Sequence, residues 1–208
     1  VRFKITKTLI ESWQYIFDCY EGGEEDAMND FLHTLRREPQ EPTEAMKNGT
    51  NFENLCYKMA TTAGAQIDKQ EENWLKGAAK ISNIITGGQI QVPVSCDLSV
   101  AGRDFWLYGI CDVVKAGTIY DVKFKNKGLG SADVYGNYLN CSQHSFYLRA
   151  LPEAQTFIYL VSDGEDLYTE TYTRKDAKPA EEYIMNFYAW LMTNPELLKI
   201  YDERWAVE

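Results

Sequence analysis

The sequence predicts an α/β fold: a sandwich of helices around one central mixed sheet, in a single domain. Apolar residues recur at helical spacing through position 85, then give way to runs rich in Val, Ile, Tyr, Phe and Trp over 89–125. After that, helix and strand patterns alternate to the end. Helices before and after the strand runs can cover both faces of a sheet. The 208 residues, 45% hydrophobic and 13% aromatic, suffice for one substantial core.

Leu9, Ile10, Trp13, Ile16, Phe17 and Tyr20 form a helical stripe that Gly22-Gly23 ends. Ala27, Met28, Phe31, Leu32 and Leu35 mark a second helix, and EPQEPT at 38–43 is a linker with two prolines. A third helix carries Phe52, Cys56, Met59 and Ala63. A fourth carries Trp74, Ala78, Ile81 and Ile85 and stops at Gly87-Gly88. Residues 89–100, 104–114 and 117–125 read as three strands of an antiparallel meander. A helix follows over roughly 133–151, then a buried strand at 156–161 and an alternating one at 166–174. One last helix, from near Pro179, carries Tyr183, Ile184, Phe187, Trp190 and Leu191.

The net charge of −10 argues against a general basic binder, but not against a local basic track. No run reaches the ~20 apolar residues of a membrane span, so no membrane partner is expected. Val1 in place of methionine is read as a trimmed start, and no signal-peptide pattern is visible. The five scattered cysteines, Cys19, Cys56, Cys96, Cys111 and Cys141, point to reduced core thiols and a cytoplasmic location. Without a CxxC pair, no zinc site is expected.

Four polar residues stand against this pattern. Asp112 lies in DFWLYGICDVV, where both strand faces read as apolar, so the strand should be central and covered on both sides. A carboxylate there must be paired, hydrogen-bonded or metal-bound, or else sit solvated at the strand end. If the next turn is Ala116-Gly117 alone, Lys115 faces Thr118 and Asp112 falls opposite Asp121, and a cation would relieve their repulsion. A three-residue loop would send Asp121 to the other face. Lys123 shares the face of Asp121, about 7 Å along the strand, although this face also fits charges in water. Thr50-x-x-Glu53 fits a helix capping box, or a Glu53 that looks toward the sheet. Gln143 interrupts the stripe Tyr135, Leu139, Phe146, Tyr147 and Ala150, so it should point inward and needs partners, either a backbone group or Lys123.

The ordered set resembles the PD-(D/E)xK nuclease superfamily, in its RecB-like and lambda-exonuclease-like branch. It consists of Gly49-x-x-x-Glu53 on a helix, Gly109-Ile-Cys-Asp112 and Asp121-Val-Lys123 on successive strands, and Gln143-x-x-x-Tyr147 on the next helix. ITKTLIESWQYIF also looks like the helix that opens many RecB-like domains. The resemblance implies a restriction-endonuclease-like core over 49–161, with N-terminal helices over 1–48 and a C-terminal strand and helix over 162–208. It implies hydrolysis of DNA phosphodiester bonds with Mg²⁺ or Mn²⁺.

Carried over, Asp112 and Asp121 look like metal ligands, helped by the Val122 carbonyl. Glu53 looks like the outer acid, Lys123 like the lysine that positions water, and Gln143 like the accessory glutamine. Lys125, Lys127, Arg103 and Arg149 would line the DNA track, with Tyr147 donating to a phosphate. The free-standing chain suits a phage-type recombination exonuclease acting on duplex ends. Such enzymes can form homo-oligomeric rings and work with a single-strand annealing protein. Asp121 stands where many members have Glu. No histidine precedes the first acid, which favours an all-oxygen site and Mg²⁺. No cysteine follows Cys141, so no iron–sulfur cluster is expected. Two rivals are a nuclease fold that binds DNA ends without cutting and an acidic module unrelated to DNA. The clustered carboxylates oppose the first; the inward Gln143 and central Asp112 oppose the second.

Overall fold

The computed structural model describes residues 1–69, 71–130 and 136–207. In chain order the elements are β1 (Arg2–Ile5), α1 (Lys7–Asp18), α2 (Glu24–Arg36), α3 (Glu44–Thr61), α4 (Leu75–Ile85), β2 (Gln89–Val100), β3 (Arg103–Lys115), β4 (Thr118–Phe124), α5 (Ser142–Ala150), β5 (Thr156–Ser162), β6 (Leu167–Thr173), α6 (Ala180–Met192), α7 (Pro195–Trp205) and β7 (Ala206–Val207).

Local chemistry fixes the helix ends. Thr6 caps α1 by accepting from the Leu9 N–H at 3.3 Å. Glu24, Glu25 and Asp26 open α2 and Arg36 closes it, each sign matching the helix dipole. Thr43 caps α3 through the Met46 N–H at 3.2 Å. Helix α3 therefore starts two turns before Thr50, and the capping-box reading of Thr50 and Glu53 is corrected: both lie inside the helix. The expected single last helix is two, because Pro195 can open a helix but not continue one. The helix expected over 133–151 is α5, beginning at Ser142 after turns at 136–140. Tyr135 of its expected stripe lies outside the described residues.

The seven-stranded sheet runs β6-β5-β4-β3-β1-β7, with β2 also paired to β3. The expected meander holds: β2, β3 and β4 pair antiparallel. Strand β5 then joins β4 in parallel across the α5 crossover, which makes the sheet mixed. Helices α1, α2, α5, α6 and α7 cover one face, where Leu9, Phe31, Phe146, Phe187 and Tyr201 meet Phe105, Leu107 and Phe157. Helices α3 and α4 cover part of the other, with Phe52, Leu55, Cys56, Ala78 and Ile81 over Val113, Val122 and Leu160. Burying each such large side chain contributes roughly 1.5–3 kcal/mol. The expectation that β3 is covered on both faces is corrected along 106–110: Trp106 and Tyr108 are half-buried and Ile110 is 40% exposed.

All five cysteines are free thiols. Among the described residues, no helix is long and apolar enough to cross a membrane.

One topological detail positions the site. Strand β2 follows one edge of β3 from Val100↔Arg103 to Gln89↔Val114. The other edge is shared. Strand β1 takes Phe105–Leu107, β4 takes Val113–Lys115, and residues 108–112 lie between them.

Candidate active site

The β3–β4 turn is the two-residue loop Ala116-Gly117. Both residues have positive φ, 49° and 75°, as a type I′ hairpin turn requires. Lys115 pairs with Thr118 and Val113 with Tyr120, so Asp112 is level with Asp121. There the backbone ladder stops. The Val122 N–H donates instead to Asp112 Oδ2, at 2.9 Å.

The strands also reverse facing at this level. Cys111 packs in the α1/α5 core, yet Val113, two residues on, packs under α3 and α4. Across the ladder, Val92 and Ile90 switch in the same way. Residues two apart in a regular strand share a face, so the backbone turns over between them. Gln91, with φ 54°, marks the reversal in β2.

Asp121 is 1% exposed, so the reading of this strand face as solvated is corrected. Its Oδ2 lies 2.6 Å from Lys123 Nζ, and its Oδ1 accepts from Gln143 Nε2. Lys123 Nζ also donates to Gln143 Oε1 at 3.1 Å, which closes a triangle. The inward Gln143 thus ties side chains. Burial alone would lower the Lys123 pKa, but the Asp121 and Asp112 carboxylates outweigh it and push it up. Lys123 remains cationic, with its side chain still 29% exposed. Asp112 is pushed well above the usual carboxylate range, first by burial, then by Asp121 and Glu53. Asp112 and Lys123 are both half-buried.

Glu53 approaches from α3. Its Oε1 accepts from Tyr57 Oη at 2.5 Å and from Gln91 Nε2 at 2.9 Å. Burial raises its pKa, and Asp121 adds to the rise against the two donors. Three residues here escaped the sequence reading. Tyr57, one turn from Glu53, could be found from the i,i+4 spacing. Gln91 gives no sequence signal. Glu11 of α1 accepts from Cys141 Sγ at 2.9 Å and acts electrostatically on Lys123; in sequence it is an ordinary helix-surface acid.

The expected DNA track divides. Lys125 is half-buried and Lys127 exposed just beyond β4, and neither forms an ion pair among the described residues. Arg103 is a correction. It starts β3, nine residues and about 30 Å from Asp112, with its guanidinium 3.5 Å over the Phe3 ring and bound to Asp202. Arg149 is neutralised by Glu181 at 2.7 Å. Tyr147 is 6% exposed and packs on Gly109, where an added Cβ would come 2.2 Å from its ring. Gly109 therefore admits Tyr147, and this ring supports the strand. Val122 reaches Asp112 through its N–H.

The oxygen donors and their mutual repulsion fit a hard divalent cation at Asp112 and Asp121, where the Lys123 ammonium supplies the positive charge. Among the described residues, however, no three His, Cys, Asp or Glu side chains are grouped so as to hold one ion. Glu53 repels the pair electrostatically without closing on it as a third ligand.

No family model and no curated protein matches this chain. Solved structures do. LHK-Exo in complex with dAMP matches 94% of this chain and 91% of its own, with a TM-score of 0.53 at 16% identity. SSO0001 matches 93% of this chain and 77% of its own, with a TM-score of 0.50 at 12% identity. At such identities the likeness is one of fold: a restriction-endonuclease-like core, a mixed sheet flanked by helices.

Proposed function

We propose that this chain is a Mg²⁺-dependent deoxyribonuclease, an exonuclease that resects duplex DNA ends. One observation carries the reading: an Asp121–Lys123–Gln143 triangle, its Asp121 and Gln143 buried and its Lys123 partly open to solvent, set level with Asp112 where a hairpin ladder opens. Placing two carboxylates and a lysine in so little solvent is costly for a protein that only needs a fold. The same groups serve phosphodiester hydrolysis. When bound, a divalent cation supplies Lewis-acid polarisation of the phosphate and a water of lowered pKa. Asp112 and Asp121 would hold that cation. Lys123, kept cationic by its neighbours, orients the attacking water and offsets charge that develops on the phosphate. Gln143 fixes the positions of Asp121 and Lys123 together, and Glu53 contributes from the rim. Lys125 and Lys127 give the DNA backbone a local positive path, so binding should weaken steeply with salt.

A fold neighbour that is by name an exonuclease, solved with the deoxynucleotide dAMP, supports this reading. The phage-type recombination role, self-assembly and a single-strand annealing partner belong to the same reading through the family resemblance. The test is digestion of linear and closed circular duplex DNA with Mg²⁺, Mn²⁺ or chelator. Metal-dependent release of mononucleotides from linear DNA alone is the expected result. Equal activity of wild type, Asp121→Asn and Lys123→Ala would sink the assignment.

A further inference from the structure

Gln91 is half of a feature that the acids alone do not account for. Its neighbours keep strict register, Ile90↔Val113 and Val92↔Cys111, so no residue is inserted. Between these pairs both strands reverse facing, and Gln91 takes φ 54°, a value that residues with a Cβ adopt only at a cost. Gln91 is exposed, so no burial of its own side chain offsets that cost. The reversal brings Gln91 Nε2 to Glu53 Oε1 at 2.9 Å and to Tyr57 Oη at 3.1 Å. Tyr57 Oη donates to the same Oε1. The triangle is consistent in hydrogen: the amide donates twice, the phenol accepts once and donates once, and the carboxylate oxygen accepts twice. Turning the amide over would set its oxygen against the Glu53 carboxylate and leave the one phenol hydrogen to serve two acceptors. Glu53 Oε2 takes no hydrogen bond among the described residues.

We propose that Gln91 is a positioning residue of the site: with Tyr57 it locks one oxygen of Glu53 and leaves Oε2 available to a divalent cation or its bound water. The inference rests on the nuclease reading for the identity of that ligand. Partners of this kind typically change metal affinity 10–100-fold.

Gln91→Gly is the discriminating variant, because glycine accepts the positive φ and removes only the amide. Titration calorimetry with Mn²⁺, without DNA, should show at least about tenfold weaker binding for Gln91→Gly. Its metal-free Tm should be no lower than wild type. A metal-free thermal cycle with Glu53→Ala gives a second readout. Gln91→Gly should raise Tm more in the Glu53→Ala background than in wild type, because there the amide has already lost its carboxylate partner and keeps only Tyr57 Oη. Unchanged Mn²⁺ affinity in Gln91→Gly, or additive Tm shifts, would overturn the proposal. Should wild type bind no Mn²⁺ and cut no DNA, the nuclease reading falls by itself. The thermal cycle then decides the clamp alone, with coupling supporting it and additivity refuting it.

Discussion

Arg103 at the start of β3 and Lys123 near the end of β4 are both cations of a strand, and each is bound to an aspartate. Their surroundings differ in one respect that matters. Arg103 has a single acid, Asp202, and three aromatic rings, those of Phe3, Tyr188 and Tyr201. Its charge is balanced and its apolar stem is packed, which is how a structural arginine is used. Lys123 has Asp121 in contact and feels Asp112 and Glu11 as well, and the Glu53 carboxylate repels both aspartates. That corner carries more negative than positive charge. The surplus of acid, rather than the presence of a buried ion pair, separates a site from a strut.

The largest expected effect lies in exchanging the two roles. Lys123→Ala should lower DNA hydrolysis by about 10²–10³-fold, as loss of a preorganised charge does. Arg103→Ala should leave hydrolysis within a few-fold of wild type. Rates on linear duplex measured side by side test this, and a comparable loss in Arg103→Ala would break the contrast.

The stability effect should run the other way. Arg103→Ala strands Asp202 and empties the aromatic niche, a loss of about 1–3 kcal/mol visible in urea unfolding. Asp112→Asn should instead stabilise the metal-free protein by about 1 kcal/mol, because it removes a repelled, buried charge while an amide oxygen still accepts from Val122. The same variant should lose hydrolysis.

The pH dependence follows from the raised carboxyls. The folded-state pKa values of Asp112 and Glu53 lie above their unfolded values. Their contribution is thus fully present below the ordinary carboxylate pKa and is lost as pH rises through the raised values. Saturating Mg²⁺ should therefore raise Tm more at pH 8 than at pH 5, and Asp112→Asn should flatten that difference. His144 acts in the opposite sense. Burial pushes its pKa down to about 4, so stability falls as pH drops from about 6.5 toward 4. Replacing it with Phe should remove that acid limb in thermal scans.

The smallest effect concerns the turn that sets the register. Ala116 holds φ 49°, and Ala116→Gly should gain roughly 0.5–1 kcal/mol without altering hydrolysis.

Much of this was legible in the sequence where local rules decide. Ala116-Gly117 between two apolar runs offered a two-residue turn that sets Asp112 beside Asp121, with a three-residue loop as the alternative, and the structure has the two-residue turn. The break in an apolar stripe found Gln143, and period two placed Lys123 on the face of Asp121. What stayed hidden depends on tertiary pairing. Strands β1 and β7, four and two residues long, exist because β3 and β1 offer them edges. Arg103 looks like a track residue until Phe3 and Asp202, distant in sequence, close around it. Gln91 reads as one polar residue among several in its strand, since backbone reversal leaves no compositional trace. Thr50-x-x-Glu53 reads as a capping box, but the cap of α3 is Thr43, seven residues before Thr50.

On the proposed reading, the acid surplus around Lys123 is a divalent-cation site, and titrating Mn²⁺ into the DNA-free protein is the decisive measurement. Saturable binding should be lost in Asp112→Asn and in Asp121→Asn and retained in Arg103→Ala. Binding that persists unchanged in both aspartate variants would contradict it.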